Sequence, residues 1–248
     1  LLLRSRFHPA PIVHASVGDG MAWRSHRRVH RLYARAHGRR PSPEGCRILS
    51  ADLAKDPLVS VVVAVRNGAA TLPRCIDSVL SQGDVPVDLV IIDGGSTDGT
   101  VDCIKRYSDG IGYWVSEPDD GVYSAWNKAV PHIRGDWVCF LGSDDRLADP
   151  DALSRMAPDL RRRTERVVYG VTHVLDDAGN MRGTMGEPWP ETRAGLSSQM
   201  SLPNPSTFYH RKLFDVHGRF DERFKIAGDY EFLLRELADG DAYFVDTL

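Results

Sequence analysis

The sequence predicts an α/β fold, Rossmann-like, with three layers and a mainly parallel central sheet. Three observations lead there. Apolar, β-branched runs recur between stretches of helical spacing, beginning with Val59-Ser60-Val61-Val62-Val63-Ala64-Val65, the composition of a strand covered on both faces. Each run alternates with an amphipathic stretch, which makes βαβ units with right-handed crossovers. Polar turns rich in Gly, Ser and Asp close the runs, and open α/β sheets bind ligands beyond the carboxyl ends of their strands.

At 248 residues the chain suffices for one α/β domain and an appendage. Residues 1–57 read as a basic N-terminal extension and 58–248 as the domain. In the extension Arg24, Arg27, Arg28, Arg31, Arg35, Arg39 and Arg40 crowd together. Its thin apolar stripe of Ala22, Val29, Leu32, Tyr33 and Ala36 could lie on an anionic membrane surface as a peripheral contact. A flexible basic tail is preferred, because the stripe is weak. The chain opens without methionine, which makes Met21 a candidate start.

From Val59 the pattern is regular. Arg66-Asn67-Gly68 ends the first strand. Leu72, Cys75, Ile76, Val79 and Leu80 then follow at helical spacing, with Thr71 as N-cap and Pro73 in the first turn. A second strand, Leu89 to Ile92, leads into the turn Asp93 to Thr100 and a helix with Val101, Ile104 and Tyr107 inward. Ile111 to Val115 is a third strand, followed by the loop Ser116 to Gly121. The next helix buries Val122, Ala125, Trp126, Ala129, Val130 and Ile133. Trp137 to Leu141 is a fourth strand, stopped by Gly142-Ser143 and followed by the adjacent carboxylates Asp144 and Asp145. Two such carboxylates repel and lose hydration, a cost that a bound cation offsets; a capping pair or a solvated turn is the bland alternative. Parallel connectivity brings the loops at Arg66-Asn67, Asp93 to Asp98, Glu117 to Asp120 and Ser143 to Asp145 to one sheet edge.

After Pro150 the pattern loosens. Arg161-Arg162-Arg163 reads as a solvated helix face. Val167 to Val174 and Met181 to Thr184 flank the hairpin signal Asp176 to Asn180. Gly186 to Ser201 has no clear period and is expected to be a substrate-covering loop. Thr207 to His210 is a short strand, Arg211 to His217 a short helix, and Asp229-Tyr230-Glu231 opens a helix carrying Phe232, Leu233, Leu237 and Ala238. Tyr243-Phe244-Val245 stops mid-strand, which points to a further C-terminal portion. Net charge is −3, unlike that of a general nucleic-acid binder. No apolar run approaches the about 20 residues of a membrane span. Cys46, Cys75, Cys103 and Cys139 are scattered, as free thiols in a reducing cytoplasm are. A cytoplasmic protein, able to touch the inner face of the membrane, is the expectation.

Four blocks in order resemble the family 2 glycosyltransferases of GT-A fold, of the bacterial cell-surface-polysaccharide type. They are Val-Ser-Val-Val-Val-Ala-Val-Arg-Asn (59–67), Asp-Gly-Gly-Ser-Thr-Asp-Gly-Thr (93–100), Ser-Glu-Pro-Asp-Asp-Gly-Val-Tyr-Ser-Ala-Trp-Asn-Lys-Ala (116–129) and Leu-Gly-Ser-Asp-Asp (141–145). A looser likeness runs over Asn204 to Val245. The resemblance implies a metal-dependent, inverting transfer of sugar from a nucleotide-diphosphate donor, UDP by default, to a hydroxyl of a glycan, lipid-linked or small-molecule acceptor. It implies a nucleotide-binding half at about 58–150 and an acceptor-binding half at about 151–248. Residue by residue, it places Ala64, Arg66, Asn67, Asp93, Asp120 and Asp144 on the nucleotide and Asp145 on a divalent Mg or Mn ion. Asp229 is placed as general base, with Glu231 as runner-up. Asn127 would organise the pocket, and Lys128 is read as surface. The sequence departs from the family where Gly94 and Gly142 replace acids.

Rival chemistries lack their motifs. Neither G-x-G-x-x-G nor G-x-x-x-x-G-K-[ST] follows a strand, and Arg66-Asn67-Gly68-Ala69-Ala70 is a poor phosphate loop for a sugar-nucleotide pyrophosphorylase. No acid follows the first strand, as an aspartyl phosphatase requires. A catalytically silent nucleotide-sugar or glycan-binding module stays as the alternative. His210 is either a metal or phosphate contact or, preferably, a satisfied strand-end histidine.

Overall fold

The computed structural model describes residues 56–176 and 178–246; the basic segment ahead of Asp56, with Met21 and Cys46, lies outside them. The described chain builds β1 (Val59–Val65), α1 (Leu72–Leu80), β2 (Val87–Asp93), α2 (Thr100–Arg106), β3 (Tyr113–Ser116), α3 (Val122–Ala129) and β4 (Trp137–Gly142). It continues with α4 (Ala152–Arg162), β5 (Val167–Tyr169), β6 (Thr172–Leu175), β7 (Met181–Met185), α5 (Trp189–Gly195), β8 (Thr207–His210), α6 (Lys212–His217), α7 (Gly228–Leu237) and β9 (Ala242–Phe244). Seven strands form one sheet in the order β3-β2-β1-β4-β8-β5-β9. Only β8 runs against its neighbours, so strands from both halves of the sequence share a mainly parallel sheet.

Period-two alternation decides the layers. Val59, Val61, Val63 and Val65 of β1 join Leu72, Cys75, Ile76 and Val79 of α1 and Leu153, Met156 and Leu160 of α4 in one core. Val62, between them, faces the opposite core with Ala125, Trp126 and Ala129 of α3 and Phe232, Leu233 and Leu237 of α7. The sheet is thus buried between two helical layers, the three-layer architecture expected.

Several local expectations are corrected. Leu80 is exposed, because α1 ends there and Leu80 falls off its inner face. In α2 the inward residues are Thr100, Cys103 and Ile104 rather than Val101. In α3 Val122 is exposed and Tyr123 buried, while Ala125, Trp126 and Ala129 are buried as expected. In α7, which ends at Leu237 just before Ala238, Glu236 is buried and satisfied by Arg166 (2.9 Å) and His217 (2.8 Å). The run Val167 to Val174 splits: β5 enters the main sheet, and β6 pairs β7 in the expected hairpin. Gly186 to Ser201 contains α5, so it is no irregular loop; Trp189 and Arg193 of α5 pair with Asp241 beside β9. Among the described residues Cys75, Cys103 and Cys139 are buried free thiols, and no helix is long and apolar enough to cross a membrane.

Candidate active site

Strand register brings the predicted loops together. Val65 of β1 lies opposite Asp93 of β2, Asp93 opposite Ser116 of β3, and Ala64 opposite Gly142 of β4. The four strands end level, and their loops are laced into a rim. Asn67 takes a left-handed φ of 54°, which asparagine tolerates better than most residues. Its N–H donates to Ser96 Oγ at 2.7 Å, and its Oδ1 accepts from Thr97 N–H at 2.9 Å. Gly68 N–H donates to Thr100 Oγ1 (2.9 Å) and Ala69 N–H to Asp98 (3.0 Å). The Thr100 hydroxyl, donating to Asp98, holds that carboxyl below its ordinary pKa. Gly68 is the fit between the first and fourth loops: a Cβ there would meet Val65 Cγ2 at 2.6 Å and Ser143 Oγ at 3.0 Å.

Asp93 is fully buried. It accepts from Gly95 N–H (3.2 Å), Ser96 N–H (2.9 Å) and Ser116 hydroxyl (2.6 Å), and from the Ser96 hydroxyl. Three of these bonds fall on Oδ2 and one on Oδ1, and together they tie the β2 loop to β3 from beneath the rim. Arg66, Asn67, Asp120 and Asp144 are exposed on the rim loops, and Ala64, near the end of β1, is half-buried.

Where the sequence lacks the family's extra acids, neighbouring acids fill the space. A Cβ on Gly94 would meet Asp119 Oδ2 at 2.7 Å, and one on Gly142 would meet Asp144 Oδ1 at 2.7 Å and Asp145 Oδ2 at 3.0 Å. Asp145 is half-buried and accepts Gly142 N–H at 3.1 Å. Burial first, then the charge of Asp144, raises its pKa, against the lowering effect of that hydrogen bond. The same pair reaches Cys75, whose thiol is pushed up to about 12 chiefly by burial and then by Asp145 and Asp144. Among the described residues no group of three His, Cys, Asp or Glu side chains is placed to hold a metal. Two carboxylates suit a hard divalent cation that takes its remaining ligands from phosphate and water.

Asp229 arrives from the other end of the chain. It is half-buried near the start of α7 and accepts the Tyr123 hydroxyl at 3.0 Å. Burial and the Asp229 charge push Tyr123 up to about 12, so the phenol keeps its proton and donates. Gly228 permits the approach: a Cβ there would stand 2.8 Å from the Tyr123 ring. The preceding loop is fastened to α3 by Asn127, whose Nδ2 donates to Phe220 O (2.9 Å) and Glu222 Oε1 (2.8 Å) and whose Oδ1 accepts Phe220 N–H (3.0 Å). Lys225 Nζ donates to the Asp120 carbonyl at 3.1 Å. Asp229 thus adjoins the third strand's loop. Glu231, the runner-up base, makes an i,i+4 ion pair with Arg235.

Sequence reading missed Ser96, Ser116, Asp119 and Tyr123. Ser and Tyr carry no signal until a partner is known, and Tyr123 sits one position from a residue assigned inward. Lys128, read as surface, instead braces the third loop through Glu117 (3.0 Å) and the Pro118 carbonyl (2.8 Å). His210 is the satisfied histidine: Nδ1 accepts Lys212 N–H at 3.2 Å, and it lies opposite Trp137, at the far end of β4 from the acids. A cavity of about 690 Å³ lined by Trp189, Arg193, Asp241 and Tyr243 lies at the β9 edge and holds none of these acids.

The family model described as "Glycosyl transferase family 2" matches residues 60–218. A PGL/p-HBAD biosynthesis glycosyltransferase of Mycobacterium bovis is 33% identical over 183 residues, 72% of this chain and 69% of the relative. Among solved structures, S. aureus TarS superposes with a TM-score of 0.63 at 21% identity, covering 77% of this chain and 35% of TarS; its 1–349 form is known with UDP-GlcNAc. The mannosyltransferase PcManGT from Pyrobaculum calidifontis, in complex with GDP-Man and Mn2+, has a TM-score of 0.60 at 21% identity, over 90% of this chain and 64% of that one. Those structural likenesses show the fold, GT-A, and the sequence matches show the lineage: the chain belongs to glycosyl transferase family 2 and is a glycosyltransferase.

Proposed function

We propose that the chain transfers a sugar from a nucleoside-diphosphate donor to an acceptor hydroxyl with inversion, using Asp229 as general base and the Asp144-Asp145 pair at the diphosphate. One observation carries this reading. The acid pair and Asp229 reach one rim from different loops, linked around it by Asn67–Ser96, Asp93–Ser116 and Tyr123–Asp229 contacts. Inversion needs that division, since hydroxyl and diphosphate stand on opposite sides of the reacting carbon.

The backbone of Ala64 to Asn67 and the side chains of Asp120 and Asp144 line the nucleotide side, while Asp93 holds the floor. Asp145, with Asp144, would hold a Mg or Mn ion, which when bound supplies Lewis acidity to the departing diphosphate. Asp229 takes the acceptor proton as the hydroxyl attacks. Tyr123, donating to Oδ1, fixes the carboxylate and leaves Oδ2 for that proton. UDP is the first donor nucleotide to test and GDP the second, matching the nucleotides held by the fold neighbours.

The experiment measures release of nucleoside diphosphate from UDP- and GDP-sugars with Mn²⁺, by wild type, D145N and D229N. Wild-type turnover that falls by about 10²–10⁴-fold in D229N, the usual worth of a placed base, supports the assignment. Equal rates in all three proteins overturn it.

A further inference from the structure

The loop that delivers Asp229 carries side chains that proton transfer does not need. Phe224 is 41% exposed and Ile226 85%, and Val122, at the start of α3, is 40% exposed. Scattered exposed apolar residues are ordinary, whereas contiguous ones mark a contact surface. Here Val122 and Phe224 line one crevice with Asp120, Tyr123 and Lys225, and Ile226 follows two residues on. The loop is held rather than loose: Asn127 grips Phe220 and Glu222, and Lys225 grips Asp120. The crevice itself, about 10 Å³, has room for about one water. The patch is a ledge to lie along, not a hole to enter.

Resting on the transfer reading above, we propose that this ledge takes the aliphatic chain of a lipid-linked acceptor, beginning within about one sugar of the attacked hydroxyl. Continuity supplies the reason. Tyr123 both bonds Asp229 and lines the crevice, which puts Val122 and Phe224 in the crevice that adjoins Asp229. A wholly polar acceptor would lay its hydroxyls on three side chains that offer no hydrogen bond. Two of the three are branched aliphatics without a flat face for stacking a ring, and their complement is a flexible chain.

Octyl, phenyl and methyl β-D-glucosides, below micelle-forming concentration, are titrated by calorimetry into the full chain and into F224S/I226S, with circular dichroism to verify the fold. Octyl glucoside is expected to bind about tenfold more tightly than methyl glucoside, with phenyl between, and the double substitution to erase the difference. Equal octyl and methyl affinities overturn the proposal, as does an octyl preference that survives F224S/I226S. Phenyl binding tighter than octyl overturns the aliphatic assignment in favour of an aromatic one. A wild-type dimer that F224S/I226S dissociates, read by light scattering, assigns the ledge to a second copy instead. These readouts need no donor. Octyl preference without turnover of any donor upholds the ledge and overturns transfer; turnover without octyl preference does the reverse.

Discussion

Tyr123 and Asp229 meet across 106 positions of sequence, and the pair behaves as one unit. The phenol cannot ionise near neutral pH, being pushed up to about 12, so it serves only as donor. Tyr123→Phe is expected to lower acceptor-dependent turnover about tenfold while donor affinity stays unchanged, as a kcat-against-KM comparison would read. At Asp145, burial and the neighbouring Asp144 charge disfavour ionisation in the folded state. Its raised pKa makes its contribution to stability largest in acid and lost as pH rises through the folded value. Asp145→Asn keeps an acceptor for Gly142 N–H and removes that charge. In metal-free buffer at pH 7 D145N should melt no lower than wild type, yet lose the rise in Tm that Mn²⁺ with UDP or GDP produces in wild type. A wild-type-like Mn²⁺ response in D145N would remove the residue from the cation site.

At the scale of elements, α7 depends on a glycine that no helix propensity favours. Gly228 is buried in its first turn and faces the Tyr123 ring, so Gly228→Ala must push ring and helix apart. The expected cost is about 1–3 kcal/mol, typical of overpacking, with turnover falling as Asp229 moves; a chemical melt at unchanged m-value reads the first effect. In β8, burial, followed by the Lys212 charge, lowers the pKa of His210. Asp136 and Arg166 also face it, with opposite effects, and Arg211 adds to the lowering. A lowered histidine pKa contributes stability that is present above the unfolded value near 6.5 and lost as pH falls through the folded one. Stability should therefore decline as pH drops below about 6.5, and His210→Gln should flatten that decline in pH-dependent urea melts. An unchanged slope would assign it to other groups.

Over the whole molecule, Asn127 joins α3 to the loop ahead of α7, since it satisfies both backbone groups of Phe220 and also bonds Glu222. Asn127→Ala leaves buried polar groups unpaired, at about 1–3 kcal/mol, and should weaken transfer more than donor binding because the base's loop is released. Much of this architecture was legible in the sequence. Val59–Val65 was bounded correctly because β-branched residues buried on both faces leave no other option, and parallel alternation alone brought the first four loops to one edge. The aspartate pair after β4 was legible because adjacent carboxylates at a strand end are chemically conspicuous. Other features were not. The sequence could not tell that Asp93 accepts from Ser116 or that Asp119 fills the space Gly94 leaves, because each depends on partners set by strand register; the Glu231–Arg235 pair, at i,i+4 on one helix, was within reach of spacing alone. Composition and local periodicity, which act over a few residues, determined the layers, the strand order's parallel core and the placing of acids at strand ends. Tertiary structure decided which of those acids remain free to act, because a carboxylate's availability is settled by the donors that packing brings within 3 Å of it.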